Sequence, residues 1–352
     1  MTDLKTVDPC TDPGWLELAR SPRGSLFSAP PWFTAIADTY GFELVANVLT
    51  TDSQARAGIA YTELDDFMGH RVISMPFCDF LDPIFDGEDA DHDAQWKELV
   101  DPILARGVPF QLRVLDAEAP RRDDRFVKVN ELAWHGTDIT RDDDAILAGV
   151  DRKARQKIKQ AMNAGVTVRF GSDLDDMRAF HDLHRNTRKR KHRLLAQPVS
   201  FFENIWKAFA PTDSIAVGFA MHEGDVIASS VYLRWENIWY YKFSASIADR
   251  LAVRPNELLL WESMRFARDR GCTWYDWGGS DLDQPGLVSY KRKMATEERR
   301  VAVLRYTPEG FSNPKGVEAG GVLGELTGLL TRDDVPDEVT KRAGEILYRY
   351  FT

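Results

Sequence analysis

The sequence predicts a mixed α/β protein of two domains, and three observations carry that prediction. A chain of 352 residues is longer than one hydrophobic core usually fills. Between Ile215 and Ser244 the apolar spacing changes from the helical period to simple alternation, broken at Glu223-Gly224-Asp225 and Glu236-Asn237. Helical spacing then returns from Asn256 to Gly271, ahead of a buried-looking strand at Cys272–Trp277 that ends in Gly278-Gly279.

Taken in order, the first part reads as helix, strands, helix, strand. Pro31 suits the first turn of a helix carrying Trp32, Phe33 and Ile36. Strand-like runs follow at Phe42–Leu49, Gly58–Leu64 and Arg71–Met75, then a loop rich in Asp, Pro and Phe from Met75 to Asp86. A helix at Asp93–Arg106 and a strand at Pro109–Leu115 come next. The charged stretches Asp116–Arg125 and Thr140–Asp144 read as loop or boundary. Asp151 is placed to cap a helix with Ala154, Ile158 and Ala161 on one face, ended by Gly165. Val166–Phe170 alternates as a strand, and a helix from Asp173 carries Met177, Phe180 and Leu183. Ser200-Phe-Phe-Glu203 has the spacing of a capping box opening a helix through Phe209, and Asn256 that of an N-cap. Ile215–His222, Val226–Trp235 and Ile238–Ser244 form an antiparallel meander, Val301–Tyr306 closes the set, and Pro336–Phe351 is one amphipathic helix.

Composition narrows the class. Hydrophobic content of 43% and charged content of 28% are those of a folded protein. No apolar run approaches the roughly 18 residues a membrane helix needs, and the acidic N-terminus has no leader pattern. Cys10, Cys78 and Cys272 fit neither a disulfide framework nor a metal spacing, so the expectation is a cytoplasmic protein without metal. The net charge of −10 speaks against a DNA partner. Asp151–Arg193 nevertheless holds 13 Lys/Arg against 5 Asp/Glu, which suits either an anionic ligand or a solvated helix face.

The element order after Asp151 is that of an acetyltransferase-type (GNAT) fold. The run Tyr240-Tyr-Lys-Phe-Ser-Ala-Ser…Arg254-Pro-Asn-Glu-Leu-Leu-Leu-Trp-Glu…Tyr275-Asp-Trp-Gly-Gly279…Gly286-Leu287…Tyr290-Lys291, with His181…Thr187-Arg-Lys-Arg190, resembles the FemABX-like family. That family comprises the peptidoglycan-bridge aminoacyltransferases and their relatives. The resemblance implies two tandem GNAT-like domains, residues 1–144 and 145–308, the second being the catalytic half. Residues 309–352 would form a helical tail packing back on the first domain. It also implies transfer of an aminoacyl or acyl group to an amine of a cell-wall or polysaccharide precursor. The donor would be aminoacyl-tRNA or acyl-CoA, with no tightly bound cofactor; the acceptor would be a phosphate-bearing small molecule or muropeptide. The two other readings are an acyl-CoA-dependent N-acetyltransferase acting on a small amine, and a non-catalytic binding module in envelope-polysaccharide assembly. The chain departs from the family at Trp32, which Phe-Thr-Ala-Ile follows where a phosphate-binding lysine is expected, and at Leu194 in place of an aromatic.

Acyl transfer to an amine needs an uncharged nucleophile, a stabiliser for the oxyanion and a grip on the donor. By the resemblance, Lys291 stabilises charge at the reacting carbonyl, and Asp79 is a candidate base. Arg190 is a candidate phosphate fork, and Tyr241 would orient the substrate. The blander readings are a surface lysine beside Arg292 and Lys293, a turn carboxylate, one charge in Arg188-Lys-Arg-Lys191 and a core tyrosine. Asp276 reads as structural. Arg250-Leu-Ala-Val-Arg-Pro-Asn256 lacks the glycines of a pyrophosphate nest, and proline has no N–H to offer one. Arg254 is therefore the side-chain candidate for donor phosphate. This favours aminoacyl-tRNA over CoA as the donor.

Overall fold

The computed structural model describes residues 2–87 and 91–352, in two compact units. The first holds residues 2–134 and 299–322 together with Thr352; the second holds 135–298 and 323–351.

The chain opens with β1 (Thr2–Val7), α1 (Pro13–Arg20) and α2 (Pro30–Tyr40). Proline occupies the first turn of both helices, where a missing N–H costs nothing, and Gly41 ends α2 in the left-handed region at φ 67°. Strands β2 (Leu44–Thr51), β3 (Gln54–Asp66), β4 (Gly69–Ile73) and the short β5 (Ile84–Phe85) follow. Then come α3 (His92–Leu104), β6 (Phe110–Val114), α4 (Ala119–Arg122) and β7 (Val127–Asp138). Trp96, Leu99, Val100 and Ile103 of α3 are buried with Tyr61, Phe110 and Leu112 in the core of this unit.

The second unit continues with α5 (Asp143–Gly149), α6 (Arg152–Asn163), β8 (Thr167–Gly171) and α7 (Leu174–Asn186). A π-turn at Thr187–His192 leads to α8 (Val199–Phe209) and the meander β9 (Ile215–His222), β10 (Asp225–Trp235) and β11 (Ile238–Ser246). After α9 (Pro255–Asp269) come β12 (Trp274–Asp281) and α10 (Pro285–Arg292). The chain ends with β13 (Glu297–Tyr306), α11 (Pro314–Leu330) and α12 (Asp337–Leu347).

In the first unit the strand order is β1-β2-β3-β4-β6-β13, with β5 on β3. In the second it is β12-β11-β10-β9-β8. Helix α9 packs across β9 and β10, burying Leu258, Leu259, Leu260, Trp261 and Met264. Its close approach is set at Gly218, where a Cβ would come within 2.8 Å of Leu259 Cδ1 and 3.1 Å of Tyr232. Phe170 and Phe266 stack at 4.1 Å on the same cluster.

Several expectations change here. Asp151 does cap α6, accepting from the backbone N–H of Lys153 at 2.8 Å. The Ser200–Glu203 capping box does not form, because the N-cap of α8 is Pro198, two residues earlier, and Glu203 accepts from Arg178 instead. Asn256 lies inside α9, whose N-cap is Arg254. Strand β7 and helix α11 were not expected from the sequence. The two compact units divide near residues 134 and 298, and β7 and β13 each begin in one unit and end in the other. The residues after β13 are shared between the two units. Pro314–Val322 belongs to the first unit, whereas α12 joins the second, where Asp337 meets Lys189 at 2.6 Å. No helix among the described residues is long and apolar enough to cross a membrane.

Candidate active site

The site is built where two neighbouring strands of the second unit part. Strands β11 and β12 run parallel through only three pairs, Ile238↔Trp274, Trp239↔Tyr275 and Tyr240↔Asp276. Beyond them β11 stays with β10, and Trp277–Asp281 leaves it. A bulge at Lys242 opens the mouth further: Tyr232 faces Tyr241, but the next pair is Val231 and Phe243. A bulge bends its strand and re-aims the side chains beside it.

Strand β12 turns at Gly278, which has φ 71°. The Asp276 carboxylate accepts from the Gly278 N–H at 2.6 Å, so the structural reading of Asp276 fits its place. Lys291, on the last turn of α10, is only 6% exposed. Its Nζ donates to the carbonyls of Gly279 at 2.9 Å and Gly278 at 3.2 Å. The surface-lysine reading is thereby set aside: the ammonium is buried at the mouth and fixes the glycine pair.

Tyr241 is half-buried beside Trp277, their rings 6.1 Å apart. Behind it lie Tyr232, Tyr275 and Tyr290, with Tyr275 Oη and Ser263 Oγ hydrogen-bonded at 2.8 Å. Burial pushes all four phenols above their ordinary range. For Tyr290 the phenols of Tyr241 and Tyr232 and the carboxylate of Glu257 add to that rise, and its buried oxygen has no hydrogen-bond partner among the described residues. Protonated phenols are hydrogen-bond donors, which suits them to hold a polar substrate and not to act as bases.

The start of α9 forms the other flank. Arg254 sits at φ 59°, a left-handed conformation uncommon for a side-chain-bearing residue. Its Nε reaches Gln160 at 3.5 Å, and Gln160 in turn donates to the Ala252 carbonyl. Glu257, 7% exposed, is paired with Lys157 of α6 at 3.0 Å.

The structure therefore brings Lys291 and Tyr241 to one mouth, with Arg254 on its α9 flank. Arg190 lies elsewhere in the second unit, exposed on the π-turn at Thr187–His192. Its guanidinium is engaged by Asp337 at 3.1 Å and Asp333 at 3.6 Å. Asp79 belongs to the first unit, half-buried in the loop between Cys78 and Phe80. Sequence reasoning missed Lys157, Glu257 and Tyr290. The available signal was a lone acid in the apolar run Asn256-Glu-Leu-Leu-Leu-Trp261.

Comparisons with known proteins agree with this geometry. Residues 149–292 match the acetyltransferase (GNAT) domain family. A lipid II:glycine glycyltransferase of Staphylococcus epidermidis is 22% identical over 227 residues, 46% of this chain and 54% of that protein. The chain spans about half the length of the curated relatives it matches. Among solved structures, FemX superposes with a TM-score of 0.59 at 15% identity, covering 85% of this chain and 96% of that one. A tandem GNAT protein from the clavulanic acid biosynthesis pathway gives 0.56 at 10% identity, covering 89% and 100%. At such identities the superpositions speak to the fold: a tandem GNAT architecture. With the GNAT-domain match and the curated relatives, they support a likeness of this chain to the FemABX-like family.

Proposed function

We propose that the chain is an acyltransferase that joins an aminoacyl or acyl group to an amine of a phosphate-bearing cell-wall or polysaccharide precursor. The observation that carries this reading is the parted β11–β12 mouth with a buried ammonium fixed on its glycine carbonyls. Parted strands leave backbone polar groups without a ladder partner, and a substrate carbonyl can take their place. The Lys291 ammonium puts a fixed positive charge beside that opening, so negative charge developing on the reacting oxygen is stabilised without reorganisation. The protonated phenol of Tyr241, half-buried at the mouth, offers a donor for the substrate's polar atoms, with Tyr232 and Tyr275 wholly buried behind it. Asp79 as base and Arg190 as phosphate fork remain part of the proposal, the latter on condition that phosphate displaces Asp333 and Asp337.

Aminoacyl-tRNA is the preferred donor, because Pro255 leaves the start of α9 without one N–H that a pyrophosphate nest would use. The acyl-CoA reading is favoured by one feature, the strained Arg254 held beside Gln160. The test is product formation from charged tRNA or acetyl-CoA with a lipid- or nucleotide-linked muropeptide. Aminoacylated muropeptide formed from charged tRNA supports the reading, and acetylated amine from CoA transfers it to the second donor. No product from either donor overturns the enzyme reading in favour of a binding module.

A further inference from the structure

A cavity of about 90 Å³ lies within the second unit between α7, the π-turn and α12, well away in sequence from the residues of the β11–β12 mouth. Asp182, Arg185, Asn186, Lys189, Thr340 and Lys341 line it, with Ala196 and Asp337. That volume is roughly three water molecules' worth, enough for one compact anion.

The charges around it do not cancel. Three cations (Arg185, Lys189, Lys341) face two carboxylates, and both carboxylates are already engaged. Asp182 accepts from Arg185 Nη2 at 3.2 Å; Asp337 accepts from Lys189 at 2.6 Å and from Arg190 at 3.1 Å. Lys189 is 3% exposed, and its ammonium also donates to the Val335 carbonyl, so it cannot swing out to water. Arg185 has its Nε buried without a hydrogen-bond partner among the described residues. A buried guanidinium N–H left unmatched is costly, and an oxyanion is the group that matches it best. Asn186 adds an amide donor to the same wall, and Lys341 an ammonium that reaches Glu338 only at 3.8 Å.

We propose that this cavity is a binding site for a compact oxyanion, a phosphate monoester or a carboxylate, held between Arg185 of α7 and Lys341 of α12. The bound anion ties the C-terminal helix to α7 and supplies the missing acceptor for Arg185 Nε. The site does not rest on the transfer activity, since none of its residues belongs to the β11–β12 mouth.

The test is calorimetric titration of the full chain with inorganic phosphate and, separately, with acetate, in a buffer free of both. We expect saturable binding by at least one of them. We expect that affinity to fall at least tenfold in Arg185→Gln and in Lys341→Gln, and to be unchanged in Arg122→Ala, which removes an exposed cation of the first unit. Phosphate binding alone assigns a phosphate monoester as the source; acetate binding as well assigns a carboxylate. Because Lys341 is partly exposed, its substitution leaves a folded protein to titrate even if Arg185→Gln is unstable. No binding up to about 10 mM ligand, a concentration that would reveal even millimolar affinity, overturns the proposal. Equal affinity in the wild type and in Lys341→Gln overturns it too, as does an equal loss in Arg122→Ala, which would mark the binding as general attraction to surface cations.

Discussion

The Lys291 ammonium lies 2.9 Å from the Gly279 carbonyl and 3.2 Å from that of Gly278, twelve and thirteen residues back in the chain. One side chain thus fixes the end of β12 where it has left β11, and carries a positive charge to the same place. Lys291→Met separates the two roles. Two buried carbonyls lose their donor, which costs about 2 kcal/mol in a urea melt. If the charge also acts on the reacting carbonyl, transfer falls by roughly 100-fold or more in the still-folded variant. Stability lost with transfer intact removes Lys291 from the chemistry.

Lys157 and Glu257 form a pair with unequal burial, Glu257 being 7% exposed and the Lys157 side chain 36%. Removing the lysine strands a carboxylate in the interior; removing the carboxylate leaves an ammonium that still reaches water. Lys157→Met is therefore expected to cost about 2 kcal/mol, and Glu257→Gln less than half of that. Chemical denaturation of the two variants checks the order, and the reverse order refutes this account of the pair.

Asp82, in the first unit, accepts from the backbone N–H groups of Leu115, Asp116 and Ala117 at 2.9 to 3.2 Å. Burial nevertheless raises its pKa to about 6, above the ordinary carboxylate value of 3.8, because it outweighs the lowering by those N–H groups. A folded-state pKa above the unfolded one means the folded chain holds the proton more tightly. The stabilisation is therefore complete below about pH 4 and is lost as pH rises through about 6. Relative to Asp82→Asn, the wild type should lose stability between these values, as urea midpoints measured across that range will show. A difference independent of pH contradicts the shift.

Gly218→Ala adds a methyl group 2.8 Å from Leu259 Cδ1 and 3.0 Å from Phe170, both packed in the core. We expect a loss of about 1–3 kcal/mol through displacement of α9 from β9. Since α9 carries Arg254 and Glu257, transfer should weaken along with stability, and an unchanged thermal midpoint would show that the helix has room.

Much of the second unit is legible in the sequence. Asp151 caps α6, Gly165 ends it at φ 80°, and the alternation from Ile215 to Ser244 becomes the meander β9–β11. These signals are local, set by backbone conformation and by one buried face. What escaped lacks such a face. Val127-Lys-Val-Asn130, a third of β7, is exposed at every position, and the stretch Leu132–Thr137 is buried at every position, so neither marks one buried face. Helix α11 contains Gly316, Gly320, Gly321, Gly324 and Gly328, each of which lowers helix propensity. The tail helix was legible, but its partners were not: Lys189 and Asp337 are 148 residues apart.

The sequence by itself determined the mixed α/β class and the run of elements from α6 to β12, whereas Lys291 and Tyr241 were named through the family resemblance. Periodicity and capping are properties of neighbours in the chain, and they survive without a structure. Tertiary structure alone decided that β11 and β12 part after three pairs, and that Lys291 is buried on two carbonyls. It also decided that Arg190 is engaged by Asp333 and Asp337, and that Arg185 keeps a buried Nε without a partner among the described residues. Each of these depends on which distant groups share a low-dielectric interior. That is fixed by packing, because the cost of leaving a buried charge or N–H unmatched arises only once water has been excluded.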